Sequence, residues 1–251
     1  MPPTKQYKPN IQKLLDAEAL ARRCFDLFVS SVEQTVRENN IFNFAISGGN
    51  SPRRFFELLG SEKMSLSLPW DKIHLFWVDE RYVPHDSPNS NYKLATDTFL
   101  TKVPIPKKNI HPIPTDFEHL DSAARQYEKI IQSVFNIKSD RIPEFDFVTL
   151  GMGSDGHTGS LFPNTNFRFD TKALACPIRL AKPAISRITL TPAVICGASQ
   201  IAVLVSGEEK AKTLKEVLAG PPDERRYPIH ILWPVLDKVL WLVDSAATKL
   251  L

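Results

Sequence analysis

Short apolar, β-rich runs alternate with helical segments along almost the whole chain, and this alternation limits the possible folds more than any other feature. Five runs predict buried strands: FNFAIS at 42–47, IHLFWVD at 73–79, FDFVTL at 145–150, IAVLVSG at 201–207 and VLWLVD at 239–244. Because helical crossovers join parallel strands, we predict an α/β fold of the Rossmann-like, doubly wound kind. It would have a mostly parallel sheet, helices on both faces, and a small antiparallel addition near 173–191, where ALACPI and RITLTP are also β-rich.

Helical patterns lie between the predicted strands. Apolar residues at three- and four-residue spacing predict an amphipathic helix over 11–39. Further helices are predicted at 52–59, 92–100, 119–136 and 208–220, and proline-rich breaks at 82–91 and 103–114. No repeat or linker divides the chain. We therefore expect a flexible segment over residues 1–10 and a single domain over residues 11–251.

Composition excludes several classes of protein. The chain has 251 residues, 43% of them hydrophobic, and a net charge of only +3 with scattered basic residues, so no nucleic-acid partner is expected. Three cysteines, Cys24, Cys176 and Cys196, lack the spacing of a disulfide framework or zinc site. No apolar run approaches the roughly 20 residues of a membrane helix, and the N-terminus lacks a secretory signal. We expect a cytoplasmic protein with no membrane partner, and an organellar form after removal of a transit peptide remains open.

The glycine-rich stretch LGMGSDGHTGS has two interpretations. Gly151, Gly153 and Gly156 match the G-x-G-x-x-G pattern of dinucleotide-binding loops. However, Pro163 and turn-forming residues follow where that motif needs a helix, which disfavours a cofactor cradle. The alternative is a catalytic loop that positions Asp155 and His157. A carboxylate beside an imidazole fixes its tautomer and makes it a usable general base, and the flexible Gly156 lets both side chains face one crevice.

Two more loops follow predicted strands and should meet the first at the same sheet edge. In ISGGNSP, the backbone N–H groups around Ser47, Gly48, Gly49 and Asn50 could cradle an anion, with Ser51 or Asn50 capping a helix that begins at Pro52. An ordinary tight turn is the alternative.

Charged residues end the next predicted strand, in WVDERYV. Arg81 could clamp a phosphate or carboxylate, Asp79 could bind sugar hydroxyls or move a proton, and Glu80 could hold Arg81. Arg187 and Lys210 are further cations at element boundaries, although each alone is more typical of surface charge. The histidines are dispersed, so no metal site is predicted.

Five segments carry a resemblance to a known family: SGGNSP, WVDERYVPHDSPNSNY, LGMGSDGHTGSLFPN, RITLTP and SGEEKA, in that order. Together they resemble the glucosamine-6-phosphate isomerase/6-phosphogluconolactonase superfamily, and its lactonases in particular, over about residues 11–245. The resemblance implies hydrolysis of 6-phospho-D-glucono-1,5-lactone, the second step of the oxidative pentose phosphate pathway, without a metal or nucleotide cofactor. It implies that the functional residues are Ser47, Gly48, Gly49, Arg81, Asp155, His157, Arg187 and Lys210.

Two alternatives remain open. The superfamily includes aminosugar-phosphate deaminases, which carry a catalytic glutamate five residues after the equivalent histidine. Phe162 occupies that position here and cannot relay a proton, which favours a lactonase. A non-catalytic sugar-phosphate sensor is the second alternative, and the intact Asp155 and His157 pair disfavours it. We expect a sugar-phosphate lactone as the partner, and a monomer or homodimer.

Overall fold

A large parallel sheet forms the centre of the protein. The computed structural model describes residues 8–61, 63, 68–165, 167–181 and 184–251. Within them, seven strands pair in parallel. Numbered along the chain and given in their order across the sheet, they are β1 (Asn10–Leu14), β10 (Val239–Asp244), β9 (Gln200–Val205), β6 (Phe147–Gly151), β2 (Phe42–Ile46), β3 (Ile73–Trp77) and β5 (Ile110–His111). The predicted α/β class and mostly parallel sheet are confirmed.

A second, antiparallel sheet lies beside the first, as predicted near 173–191. Its strands, in order, are β4 (Asp79–Arg81), β8 (Arg187–Leu190) and β7 (Ala175–Ile178). The predicted strand at 73–79 is therefore wrong at its end, because the chain leaves the main sheet at Val78. The backbone N–H of Val78 donates to Ile46 of β2, and its carbonyl accepts from Leu190 of β8, so this residue joins the two sheets.

Helices connect the strands in the order expected. They are α1 (Ala17–Asn39), α2 (Arg53–Leu59), α3 (Asn91–Ala95), α4 (Leu120–Phe135), α5 (Pro192–Cys196) and α6 (Ala211–Ala219). A π-helical turn, Thr96–Leu100, extends α3, and a 3₁₀ turn, Glu208–Lys210, precedes α6. A longer 3₁₀ segment, Pro228–Lys238, leads into β10. Phe28 of α1 packs at a tilt on Phe44 of β2 and edge-on against Phe147 of β6, which fixes α1 on the sheet.

The predicted helix at 11–39 is wrong at its start. Residues Asn10–Leu14 form the edge strand β1, and α1 begins only at Ala17. The boundary is set by Asp16, whose side chain accepts a hydrogen bond of 2.8 Å from the backbone N–H of Ala19. Residues 1–7 of the predicted flexible segment lie outside the described residues, and the division into segment and domain stays a prediction.

The strand order reverses direction between β2 and β6. From β2 the chain builds outward through β3 and β5, whereas β6 is followed outward by β9, β10 and β1. In open α/β sheets, ligands bind in the crevice beyond the carboxyl ends of strands at such a switch point. The segments that follow β2, β3, β6 and β9 at this edge contain residues that the sequence predicts for the site.

Two observations concern the predicted cellular context. In the described part of the chain, no helix combines the length and apolar character that a membrane span requires. Cys24, Cys176 and Cys196 are free thiols. Burial raises the pKa of the Cys196 thiol to about 11.

Candidate active site

A cavity of about 200 Å³ opens at the switch point of the sheet. Its wall includes nine of the residues predicted from the sequence: Ser47, Gly48, Gly49, Asn50, Asp79, Arg81, His157, Arg187 and Lys210. The remaining two, Asp155 and Gly156, are not among the lining residues; Asp155 bonds to His157, and Gly156 directly precedes it in the chain. Loops that are far apart in the chain therefore meet in one pocket.

Asp155 and His157 form a hydrogen-bonded pair. The Asp155 Oδ1 atom lies 2.6 Å from Nδ1 of the His157 ring and also accepts from the backbone N–H of His157 at 3.1 Å. Partial burial alone would raise the pKa of Asp155, but these hydrogen bonds and the nearby ring outweigh it and hold the pKa below its usual value. Asp155 therefore stays ionised. A carboxylate at Nδ1 favours the tautomer that leaves a lone pair on Nε2.

The glycines of this loop make room for the Asp155 and His157 pair. A Cβ atom on Gly153 would lie 2.1 Å from Nδ1 of His157 and 2.6 Å from Oδ1 of Asp155, so only glycine fits. Gly156 has a φ of +83°, and its carbonyl accepts from Ile229 at 3.1 Å. The described residues that follow form turns and a single β-bridge where a dinucleotide motif needs a helix.

Two arginines form one wall of the pocket. Arg81 in β4 and Arg187 in β8 are directly opposite in the antiparallel register, so their side chains share a face. Nη1 of Arg81 donates to the Asn89 carbonyl at 2.6 Å. The Nε atoms of both arginines are buried and have no hydrogen-bond partner among the described residues. Burial lowers the pKa of Arg187, and the nearby positive charge of Arg81 adds to this shift. The carboxylates of Asp79 and Glu80 have the opposite effect.

The β2 loop supplies a third unpartnered donor. Ser47 is only 4% exposed, and its buried Oγ has no hydrogen-bond partner in the described part of the chain. Gly49 has a φ of +100°, and a Cβ on Gly48 would lie 1.9 Å from Oδ1 of Asn91, so the turn requires glycine at both positions. Together with the arginines, this loop presents donors that a buried anion would satisfy.

The predicted cap of α2 is wrong. Pro52 is the N-cap residue and no side chain caps the helix, which begins at Arg53. The Ser51 hydroxyl is engaged elsewhere, since its Oγ accepts a hydrogen bond of 2.9 Å from Nζ of Lys210. This contact joins the β2 loop to the start of α6. Burial lowers the pKa of Lys210, while Glu209 and Asp244 oppose that shift.

Asp79 and Glu80 are adjacent in β4 but have different surroundings. Asp79 is 4% exposed, lines the pocket, and accepts a hydrogen bond of 2.6 Å from the buried hydroxyl of Ser160. The prediction that Glu80 holds Arg81 is correct only for the backbone N–H of Arg81, which donates to the Glu80 carboxylate. Glu80 accepts from the N–H groups of Arg81 and Asn91 at 2.7 Å each.

Glu80 therefore anchors the start of α3. Besides those bonds, it accepts from the N–H of Tyr92 at 2.8 Å and the hydroxyl of Ser90 at 2.9 Å. Burial raises the pKa of Glu80, and these hydrogen bonds oppose the shift.

Sequence reasoning missed several residues of the site. The pocket lining also includes Asn91, Ser51 and Glu209. Asn91 donates from its side chain to the Asp79 carbonyl at 2.9 Å. The SPNSNY stretch carries a helix-cap signal at Ser90, which could have located α3 but not its contact with β4.

The remaining histidines do not form a metal centre. In the described residues, no cluster of three or more potential metal ligands occurs. His74 and His111 are far apart in the sequence, but they lie side by side on β3 and β5. Nδ1 of His74 is 3.1 Å from Nε2 of His111. Burial, and secondarily His74, lower the pKa of His111 to about 4. Buried His230 bonds to the Val217 carbonyl and supports the fold.

Comparisons with known proteins agree with this architecture. A model of the family "Glucosamine-6-phosphate isomerases/6-phosphogluconolactonase" matches residues 15–241. The 6-phosphogluconolactonase of Nostoc sp. is 38% identical over 96% of this chain and 97% of that protein. The one from Synechocystis sp. is 35% identical over 95% and 97%. A solved 6-phosphogluconolactonase structure from Trypanosoma brucei superimposes with a TM-score of 0.83 and 28% identity, covering 97% of this chain and 98% of that one.

The fold and the pocket define a Rossmann-like α/β protein with a crevice lined by cations and unpartnered donors at the switch point of its sheet. The chain belongs to the glucosamine-6-phosphate isomerase/6-phosphogluconolactonase family.

Proposed function

We propose that the protein is a lactonase that hydrolyses 6-phospho-D-glucono-1,5-lactone to 6-phospho-D-gluconate. One observation carries the proposal: an Asp155 and His157 pair and a set of unpartnered buried donors share one small pocket. The relatives' names support the choice of substrate. Phe162 supports a lactonase over a deaminase, because it offers no titratable group beside the histidine.

His157 acts as the general base. A water molecule attacks the lactone carbonyl carbon C1, and its proton passes to Nε2 of His157 as the new C–O bond forms. Asp155 stabilises the resulting imidazolium through Nδ1. When the tetrahedral intermediate collapses, the bond between C1 and the ring oxygen breaks, and His157 returns the proton to that oxygen. No covalent intermediate is needed, since a lactone is an activated ester.

The cationic wall binds the charges of the substrate. The amides around Ser47 to Gly49, the Arg81 fork and Lys210 hold the 6-phosphate. Asp79, whose carboxylate lines the pocket, binds sugar hydroxyls. The oxyanion at C1 is stabilised by a neighbouring cation or by backbone N–H groups. Binding the remote phosphate places C1 over the base, so phosphate affinity contributes to the rate as well as to KM.

The cellular setting is part of the proposal. Free thiols are typical of a reducing compartment, which supports the cytoplasm. A monomer or a homodimer is part of the same proposal.

A pH-stat assay tests the function. Freshly prepared lactone is added to the protein, and acid release is corrected for spontaneous hydrolysis. We expect His157→Ala to lower kcat by about 10² to 10⁴, the usual contribution of a general base. Wild-type kcat in the variant would remove His157 from the mechanism. Ammonia release from glucosamine 6-phosphate, without acid release from the lactone, would identify a deaminase instead.

A further inference from the structure

One aromatic ring contacts both a base and a cation of the pocket. The ring centroid of Phe162 lies 4.9 Å from that of His157, with the two planes tilted by 41°. Cζ of Arg187 lies 5.3 Å from the same Phe162 centroid, over the ring. Phe162 therefore lies between a group from the β6 loop and a group from β8.

The backbone around Phe162 is held at several points. Leu161 is fully buried and its N–H donates to the Thr158 carbonyl at 3.0 Å. The Thr158 hydroxyl in turn donates to the Gly151 carbonyl at 2.9 Å. Ser160 donates from its side chain to Asp79 at 2.6 Å. The Phe162 ring thus extends from a segment anchored to both sheets.

The two neighbours of the ring have few other restraints. His157 is held at Nδ1 by Asp155, and in the described residues no second side-chain hydrogen bond fixes its ring. Arg187 has a buried Nε without a partner in the described residues, and it lies opposite another cation, Arg81. An aromatic face attracts a guanidinium, so the Phe162 ring offsets part of that repulsion and limits the positions of Arg187.

We propose that Phe162 is a positioning residue for the lactonase reaction, whose ring sets the His157 imidazole and the Arg187 guanidinium at a fixed separation around the reacting carbonyl. The inference rests on the proposed function for its chemistry. It assigns Arg187 to the reacting end of the substrate, where a cation can stabilise the C1 oxyanion, in addition to any contact with phosphate. Phe162 itself exchanges no proton.

Kinetics of Phe162→Leu and Phe162→Tyr test this assignment. The leucine variant loses the aromatic face, and we expect kcat to fall about three- to thirtyfold, the factor that matches a cation–π contact, with KM changed less than threefold. The tyrosine variant keeps the face and should recover most of kcat. Phe169→Leu is the matched control, because Phe169 packs on Phe167 in a neighbouring segment. It should retain wild-type kcat.

Three kinetic results would overturn the proposal. They are wild-type kcat in Phe162→Leu, a rise in KM alone, or an equal loss of kcat in Phe169→Leu. Thermal unfolding of each variant shows whether it is folded at the assay temperature.

A second readout does not depend on activity. The ring C–H resonances of His157 in wild type and in Phe162→Leu are compared by NMR. Loss of the Phe162 ring current shifts these resonances by itself, so the line widths carry the test. We expect the lines to broaden in the leucine variant, as the imidazole samples more orientations, and to keep wild-type widths in Phe162→Tyr. Wild-type line widths in Phe162→Leu would contradict the positioning role. If wild type fails to hydrolyse the lactone, the function is wrong, and these spectra still decide whether Phe162 orients His157.

Discussion

The two ends of the pocket differ in how their polar groups are satisfied. At the base end, His157 bonds to Asp155 at 2.6 Å, and Asp79 accepts from Ser160 at 2.6 Å. Elsewhere in the lining, the Oγ of Ser47 and the Nε of Arg81 are buried without partners in the described residues. One end has its hydrogen bonds in place before any ligand arrives, and the other leaves donors open.

This difference indicates a division of labour. A general base must hold its orientation and tautomer throughout the reaction, so internal hydrogen bonds at His157 are an advantage. Open donors are costly to bury, and a ligand that satisfies them recovers that free energy on binding. Changes at the base end should therefore act mainly on kcat, and changes at the open wall mainly on substrate affinity.

The largest expected effect comes from a single methyl group at the base end. Gly153→Ala would place Cβ 2.1 Å from Nδ1 of His157 and displace the imidazole. We expect kcat to fall by about 10² or more, close to the loss of the base itself. Ser154→Ala is the control, since Ser154 is exposed in the same loop and is not among the residues that line the pocket. Steady-state assays of both variants measure the contrast, and equal kcat values would show that the ring position is unimportant.

A smaller effect is expected from the open wall. Arg81→Ala removes a charged donor, and hydrogen bonds to charged groups contribute about 1.5–3 kcal/mol, so KM should rise roughly tenfold to a hundredfold. Arg168→Ala, at an exposed arginine whose ion-pair partner in the described residues is Asp170, should leave KM unchanged. An Arg81→Ala enzyme with wild-type KM would place the phosphate elsewhere.

The smallest expected effect is the pH dependence of binding through Lys210. Because burial lowers its pKa, Lys210 loses its proton at a lower pH than a free lysine does. The affinity for 6-phosphogluconate should therefore weaken by a few-fold at alkaline pH, before ordinary lysines titrate. Calorimetric titrations from neutral to alkaline pH measure this loss. Lys210→Arg keeps its charge over that range and should abolish the dependence, whereas the same dependence in both proteins would assign it to another group.

The sequence predicts the central strands well, and the reason is physical. Buried parallel strands read as continuous apolar runs, as in β2, β6 and β10. The edge strands are harder to predict. Residues 10–14 also fit helical spacing, so only the Asp16 cap separates β1 from α1. β5 has two residues and lies in a proline-rich stretch.

The site shows a similar limit. The base end can be predicted because Asp155, Gly156 and His157 are neighbours in the sequence. Their hydrogen-bonded pair therefore forms within a single turn. The pairing of Arg81 with Arg187 depends on the antiparallel register, across 106 residues of chain that carry no signal for it. The same holds for Ser51, which meets Lys210 only when the β2 and α6 loops converge.

Calorimetric titration of 6-phosphogluconate into His157→Ala and Arg81→Ala tests the division of labour most directly. The account predicts that His157→Ala binds the product within a few-fold of the wild-type Kd, while Arg81→Ala binds it at least tenfold more weakly. Weak binding by His157→Ala together with wild-type binding by Arg81→Ala would contradict it.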